Sequence, residues 1–163
     1  MFSSPLLRLA EVVIADAREA KLRIATAESC TGGLIGALLT EIPGSSAVFD
    51  RGFIVYTNRA KQDLLNVPGD LIADMGEVSE AVARMMAEGA VENSNAQLAV
   101  AVTGIAGPGG GSARKPIGLV HVAAAREGRS ILHEEQRFGD IGRTEVRLKT
   151  CEVALNLLRR LME

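Results

Sequence analysis

The apolar segment from Leu22 to Ala27 is too short to bury itself as a helix. It runs through Glu28-Ser29-Cys30-Thr31-Gly32-Gly33 into Leu34–Ile42, where apolar residues recur at helical spacing. A buried strand that passes through a polar, glycine-containing turn into a helix is the unit from which parallel α/β sheets are built. The rest of the chain repeats this alternation. Ser3-Ser4-Pro5 starts a helix that places Leu6, Leu9, Ala10, Val13, Ala17 and Ala20 on one face to about residue 20. Strands are expected at 47–56, 97–103, 117–125 and 131–138. Helices are expected at 31–42, 59–65, 80–93 and 143–162 and a short turn or helix at 71–75, with Thr57-Asn58 and Ser79 as caps and Pro43-Gly44 and Pro68-Gly69-Asp70 as breaks. Arg126-Glu127-Gly128-Arg129 joins the last two strands as an antiparallel hairpin. The pattern predicts one domain over 1–163: a three-layer α/β/α sandwich around a mostly parallel, mixed sheet.

Composition narrows the classes open to such a domain. At 47% hydrophobic and only 3% aromatic residues, the core is built from Leu, Val, Ile and Ala. A net charge of -2, with Lys and Arg scattered, argues against a nucleic-acid partner. No apolar run is long enough for a bilayer, and Met1-Phe2-Ser3-Ser4-Pro5 does not read as a signal peptide. Cys30 and Cys151 form no disulfide framework, so a cytoplasmic setting is expected, and no Cys/His or carboxylate cluster suggests a metal.

In α/β sheets of this kind ligands bind beyond the carboxyl ends of strands. Two such loops carry unusual chemistry. In the first, Ser29, Cys30 and Thr31 lie beside backbone N–H groups and a helix start, a place that favours an anion or a developing oxyanion. A hydroxyl here also serves as a plain helix cap. The second, Thr103-Gly104-Ile105-Ala106-Gly107-Pro108-Gly109-Gly110-Gly111, is a candidate phosphate cradle or a plain surface loop. It is neither a nucleotide-triphosphatase loop nor a dinucleotide fingerprint, because no Gly-Lys-Ser/Thr follows and Lys115-Pro116 leads into a strand. His121 and His133, the only histidines, lie within expected strands and read as structural, so a Ser-His-Asp triad is not expected. The remaining route is a serine activated by a lysine held neutral through burial. Lys61 follows Tyr56-Thr57-Asn58 where a strand hands over to a helix. The Tyr56 phenol is placed to relay a proton or fix the amine. Lysines at such places are more often exposed. Cys30 competes with Ser29, since a thiol at a helix N-terminus is acidified.

These motifs resemble the CinA C-terminal domain family. Ala27-Glu28-Ser29-Cys30-Thr31-Gly32-Gly33, Gly44-Ser45-Ser46-Ala47 and Gly52-Phe53-Ile54-Val55-Tyr56-Thr57-Asn58-Arg59-Ala60-Lys61 carry the likeness. Gly76-Glu77-Val78-Ser79, Thr103-Gly104-Ile105-Ala106-Gly107-Pro108 and Lys115-Pro116-Ile117-Gly118 continue it, in the family's order and over nearly the whole chain. The resemblance implies a nicotinamide-nucleotide amidohydrolase, which converts nicotinamide mononucleotide to nicotinate mononucleotide and ammonia, needs no metal or coenzyme, and is often a dimer. The form implied is the stand-alone amidase rather than the larger two-domain protein. It implies Ser29 as nucleophile, Lys61 as general base and Tyr56 as its assistant. Cys30, Thr31, Gly32, Gly33, Thr103, Gly104 and Gly107 are implied as substrate-binding. The family's Phe-x-Gly-Asp-Arg is one residue longer here, as Phe138-Gly139-Asp140-Ile141-Gly142-Arg143, which puts Arg143 in the place of a phosphate-binding arginine. The resemblance also leaves room for a non-catalytic nucleotide-binding module, or for an amidase of another small amide.

Overall fold

A computed structural model describes residues 1–163. In chain order the elements are α1 (Ser4–Ala20), β1 (Ile24–Glu28), α2 (Leu34–Thr40), β2 (Phe49–Ile54), α3 (Asn58–Leu65), α4 (Gly69–Met75), α5 (Glu80–Glu92), β3 (Leu98–Gly104), β4 (Leu119–Arg126), β5 (Leu132–Arg137) and α6 (Arg143–Met162). The strands form one sheet in the order β2-β1-β3-β4-β5. β1 pairs in parallel with both β2 and β3, whereas β4 runs antiparallel to β3 and β5. The sheet is therefore mixed, with β4 alone reversed. β3 and β4 are joined by the glycine-rich loop rather than by a helix, and without a helical crossover neighbouring strands pair antiparallel. No helix is long and apolar enough to cross a membrane.

Side chains alternate across the sheet, and the two faces differ in size. Ile24, Leu98, Val100, Val102, Val120 and Val122 pack with α1, α2 and α6. The opposite face shows Ala25, Ala27, Ala99, Ala101, Ala123 and Ala125 to Val82, Ala83, Met86, Ala87 and Ala90 of α5. Alanine is a poor strand former, so burial rather than propensity holds these strands in the sheet. The alanine face leaves room for α5 to lie close. α5 is itself tight against α3, where a Cβ at Gly89 would collide with the carbonyl of Leu65. α3 is thus wedged in place, and α3 carries Lys61.

Local boundaries shift for identifiable reasons. The helix expected from Thr31 starts at Leu34, because Gly32 and Gly33 take positive φ values of 57° and 104° in a turn. The strand expected from Ala47 starts at Phe49, after a 3₁₀ turn over Ser45–Ala47. The helix expected at 143–162 forms with those bounds. The sheet brings the carboxyl ends of β1, β2 and β3 to one edge. The connections from β1 to β2 and from β2 to β3 leave on opposite faces there, which is where open α/β sheets leave a crevice.

Candidate active site

Ser29 directly follows β1. Its N–H donates to the Val102 carbonyl of β3 at 3.2 Å, while Val55 N–H donates to the Glu28 carbonyl at 2.9 Å, so the strands on either side of β1 fix the loop. Lys61 lies in the first turn of α3, whose cap Thr57 accepts from the Ala60 N–H at 3.1 Å. Although lysines usually reach solvent, Lys61 is only 1% exposed. Its Nζ lies 3.1 Å from Ser29 Oγ, 3.0 Å from the Val55 carbonyl and 3.2 Å from the Tyr56 carbonyl. Carbonyls only accept, so two N–H bonds of the amine are committed to them. The third position faces the serine, where a neutral amine presents its lone pair to the hydroxyl proton. Burial holds Lys61 below the ordinary lysine range, against the pull of the nearby Glu77 carboxylate, which favours the charged form. A buried lysine seated on a serine is the arrangement a lysine base requires.

Two expectations about neighbouring groups are corrected. The Tyr56 phenol does not hold the amine; the Tyr56 carbonyl does. The phenol is exposed and accepts from Arg143 Nη2 at 3.3 Å. Nor is Cys30 acidified: burial pushes its thiol up to about 12. α2 begins four residues beyond Cys30, and its N-terminus is already occupied. Ser29, not Cys30, is the residue seated on the lysine.

The occupant of that N-terminus is Glu28, which sequence reasoning passed over. Its buried carboxylate accepts from the Thr31 hydroxyl (2.7 Å) and the Thr26 hydroxyl (3.1 Å), and from the N–H groups of Gly33 (3.2 Å), Ile35 (2.9 Å) and Gly36 (3.0 Å). A carboxylate there satisfies the free helix donors and the helix dipole at once. Thr31 and Gly33 are consequently turned to the task of capping, Gly32 closes the turn by donating to the Ser29 carbonyl at 3.1 Å, and none of the three lines the cleft at Ser29, contrary to the sequence expectation. The N–H of Cys30, which lines the cleft, makes no hydrogen bond to the protein, whereas Thr31 is fully buried. Arg147 of α6 braces this turn, with Nε donating to the Cys30 carbonyl at 3.0 Å and Nη2 to the Thr31 carbonyl at 2.9 Å. Only folding reveals that role, because in sequence Arg147 is an ordinary residue of an amphipathic helix.

The cleft itself encloses about 220 Å³ between Ser29, Lys61, Tyr56, Glu77, Arg143 and the glycine-rich loop. Thr103, Gly104 and Gly107 all line it, as expected. The Thr103 hydroxyl, however, donates to the Glu77 carbonyl at 2.8 Å, so its first task is to hold the segment between α4 and α5. Gly104 must lack a Cβ, which would lie 2.6 Å from the Val120 side chain, and Gly107 takes a φ of +84°. Along this loop, the N–H groups of Ala106, Gly107, Gly109 and Gly110 have no acceptor in the protein. Arg143, the first residue of α6, reaches across to donate to the Gly107 carbonyl at 2.7 Å. His121 and His133 stand apart from the cleft, stacked on neighbouring strands with Nδ1 and Nε2 at 3.0 Å from each other.

Comparison with known proteins places this geometry in a context. The model of the CinA C-terminal domain matches residues 6–162. A CinA-like protein of Synechococcus sp. is 54% identical over 153 residues, covering 93% of this chain and 36% of its own length. The chain thus spans about a third of the length of the curated relatives it matches. Among solved structures, the competence/damage inducible protein CihA from Agrobacterium tumefaciens superposes with a TM-score of 0.98 at 53% identity, covering 100% of this chain and 99% of that one. A competence-damaged protein (CinA) superfamily protein from Escherichia coli gives a TM-score of 0.91 at 29% identity, covering 99% and 94%.

Proposed function

The chain belongs to the CinA C-terminal domain family, and on that premise we propose that it hydrolyses the carboxamide of nicotinamide mononucleotide to nicotinate mononucleotide and ammonia. The observation that carries this reading is the buried Lys61 amine, pinned by two carbonyls and aimed at Ser29 Oγ at 3.1 Å on the floor of a cleft. With substrate bound, the neutral amine takes the Ser29 proton as Oγ attacks the carboxamide carbon. Positioned proton transfer of this kind contributes about 10²- to 10⁴-fold. The carbonyl oxygen becomes an oxyanion, for which the unpaired Cys30 N–H beside Ser29 is the donor. The Lys61 ammonium then returns its proton to the departing nitrogen, the C–N bond breaks and ammonia leaves. Water, deprotonated by the regenerated amine, attacks the acyl-serine ester. Release of nicotinate mononucleotide restores the Ser29 hydroxyl. Arg143 and the open N–H groups of the glycine-rich loop are the partners for the phosphate.

The test is ammonia release from nicotinamide mononucleotide by the purified protein, with Ser29→Ala and Lys61→Ala beside it. Turnover in the wild type, lost in both variants while Ser29→Ala still binds the nucleotide, is expected. A Ser29→Ala protein with near wild-type rate overturns the scheme. Binding of the nucleotide by the wild type without ammonia release would instead make this domain a nucleotide-binding module.

A further inference from the structure

The charges lining the cleft are unevenly distributed. Its cationic side chains are Lys61 and Arg143, and Glu77 is its one carboxylate. Both cations are committed elsewhere: Lys61 to two carbonyls and Ser29, Arg143 to the Gly107 carbonyl and the Tyr56 hydroxyl. Glu77 forms a salt bridge with neither of them, nor with any other residue. Yet it is deliberately placed. The buried Thr103 hydroxyl holds its main-chain carbonyl at 2.8 Å, and Asn58 at the start of α3 donates to Oε2 at 3.1 Å, which leaves Oε1 without a partner in the protein. Its charge reaches the reaction end of the cleft, since it acts on Lys61. The result is an exposed carboxylate without a salt-bridge partner on the wall of the cleft that holds the Ser29–Lys61 pair. The positive potential of Arg143 and the loop amides comes from other elements.

A neutral amide has no use for such a charge at the reacting end. The substrate proposed above does, because its carboxamide sits on a pyridinium ring whose nitrogen carries a full positive charge. Resting on that reading, we propose that Glu77 is a specificity-determining residue: its carboxylate is the counter-charge for the pyridinium, and it selects N-alkylated, cationic pyridine carboxamides over uncharged ones. A bound ring would cover the Glu77 carboxylate, and an opposite charge shielded from solvent acts more strongly than the same pair in open water. The ring would stand between Glu77 and the glycine-rich loop, with the carboxamide at Ser29 and the phosphate toward Arg143.

Two ligands of one shape separate this from a structural role. Nicotinamide mononucleotide and benzamide riboside 5′-monophosphate differ in the ring charge and share the carboxamide, ribose and phosphate. Their dissociation constants are measured by calorimetry on the Ser29→Ala protein, with and without Glu77→Gln, so that any change in Lys61 basicity does not enter through turnover. We expect Glu77→Gln to weaken the cationic ligand by about 10-fold or more, a step of roughly 1.4 kcal/mol, and the neutral one by less than about twofold, with Glu77→Asp restoring part of the preference. Equal weakening of both ligands would mean that Glu77 only supports the wall of the cleft, and no weakening of either would remove it from recognition; each outcome overturns the proposal. Ammonia release by the otherwise unaltered protein is run in parallel. If that is absent, the amidase reading falls and the proposal with it. If it is present while the two ligands respond alike to Glu77→Gln, the proposal alone falls.

Discussion

Bases are buried at two places in this molecule, and they have very different surroundings. Lys61 and the His121–His133 pair are both pushed toward their neutral forms chiefly by burial. Around Lys61 the partners are two fixed carbonyls and one hydroxyl, and the hydroxyl opens on a cleft. The histidines are each other's main partner, with Glu135 3.8 Å from His121 and Glu80 3.6 Å from His133 at the outer sides. The histidine pair has a perturbed base, but no nucleophile within reach and no place on the cleft wall. A shifted proton affinity is thus common to a reactive centre and a structural one. What separates them is whether the lone pair is aimed at something that can react.

The largest expected effect sharpens that contrast. Lys61→Arg keeps a positive charge and a long side chain but cannot act as a base, because a guanidinium does not give up its proton. It should therefore lower kcat by about 10³-fold or more, within the range ascribed to positioned acid–base groups and their nucleophiles. His121→Gln keeps a hydrogen-bonding side chain beside His133 and should leave kcat within about twofold. If the histidine variant, still folded by circular dichroism, loses turnover as the lysine variant does, the distinction between the two buried sites is wrong.

A smaller effect is expected from Arg147, which does not itself line the cleft but holds the carbonyls of Cys30 and Thr31 from behind. Those two bonds fix the turn that presents the Cys30 N–H, the donor proposed for the oxyanion. Charged hydrogen bonds are worth about 1.5–3 kcal/mol. Arg147→Ala should accordingly reduce kcat by roughly 10- to 100-fold with KM little changed. Parallel losses in kcat and in thermal stability, with Arg147→Lys recovering both, would point instead to plain support of the α6 contact.

The outline of the fold was legible because local signals and burial agree. Alternating apolar runs, the caps Ser3, Thr57 and Ser79, and the hairpin at Arg126–Arg129 each mark an element that forms. The pairing of Ser29 with Lys61 was legible from residue chemistry and the family likeness together, but not its detail. Nothing in the spelling of Tyr56 distinguishes a phenol that holds an amine from a carbonyl that does so. The Ser29 loop misled for a different reason. Hydroxyls and glycines before a helix look like a ligand-binding turn, yet Glu28, which sits inside the strand, folds forward to cap the helix and takes Thr31 and Gly33 with it. Glu28, Glu77 and Arg147 act across long stretches of chain or through the turn of a loop, and such partners have no signature in local sequence.

The smallest effect concerns stability, and it tests the structural half of the comparison. Burial, reinforced by the charge of the neighbouring ring at His121, lowers the folded-state affinity of both histidines for protons. Glu135 and Glu80 oppose this, while Lys115 at His121 and Arg84 at His133 add to it. In the unfolded chain an imidazole titrates near 6.5. As pH falls through that value the unfolded state takes up protons that the native state resists, so native stability is full above about 6.5 and declines below it. At 3.0 Å, one imidazole donates and the other accepts, an arrangement that two protonated rings cannot keep. The wild type should therefore lose several degrees of Tm between pH 7.5 and pH 5.5, at roughly 2–4 °C for each kcal/mol in a domain of this size. A chain with both His121→Gln and His133→Gln should show a shallower decline over the same interval, even if its Tm at pH 7.5 is lower. The slope, not the absolute Tm, is the diagnostic quantity, because it reports proton uptake on unfolding rather than lost packing. Equal slopes for the two proteins would mean that the acid sensitivity arises from carboxylates elsewhere and that the histidine pair contributes packing alone.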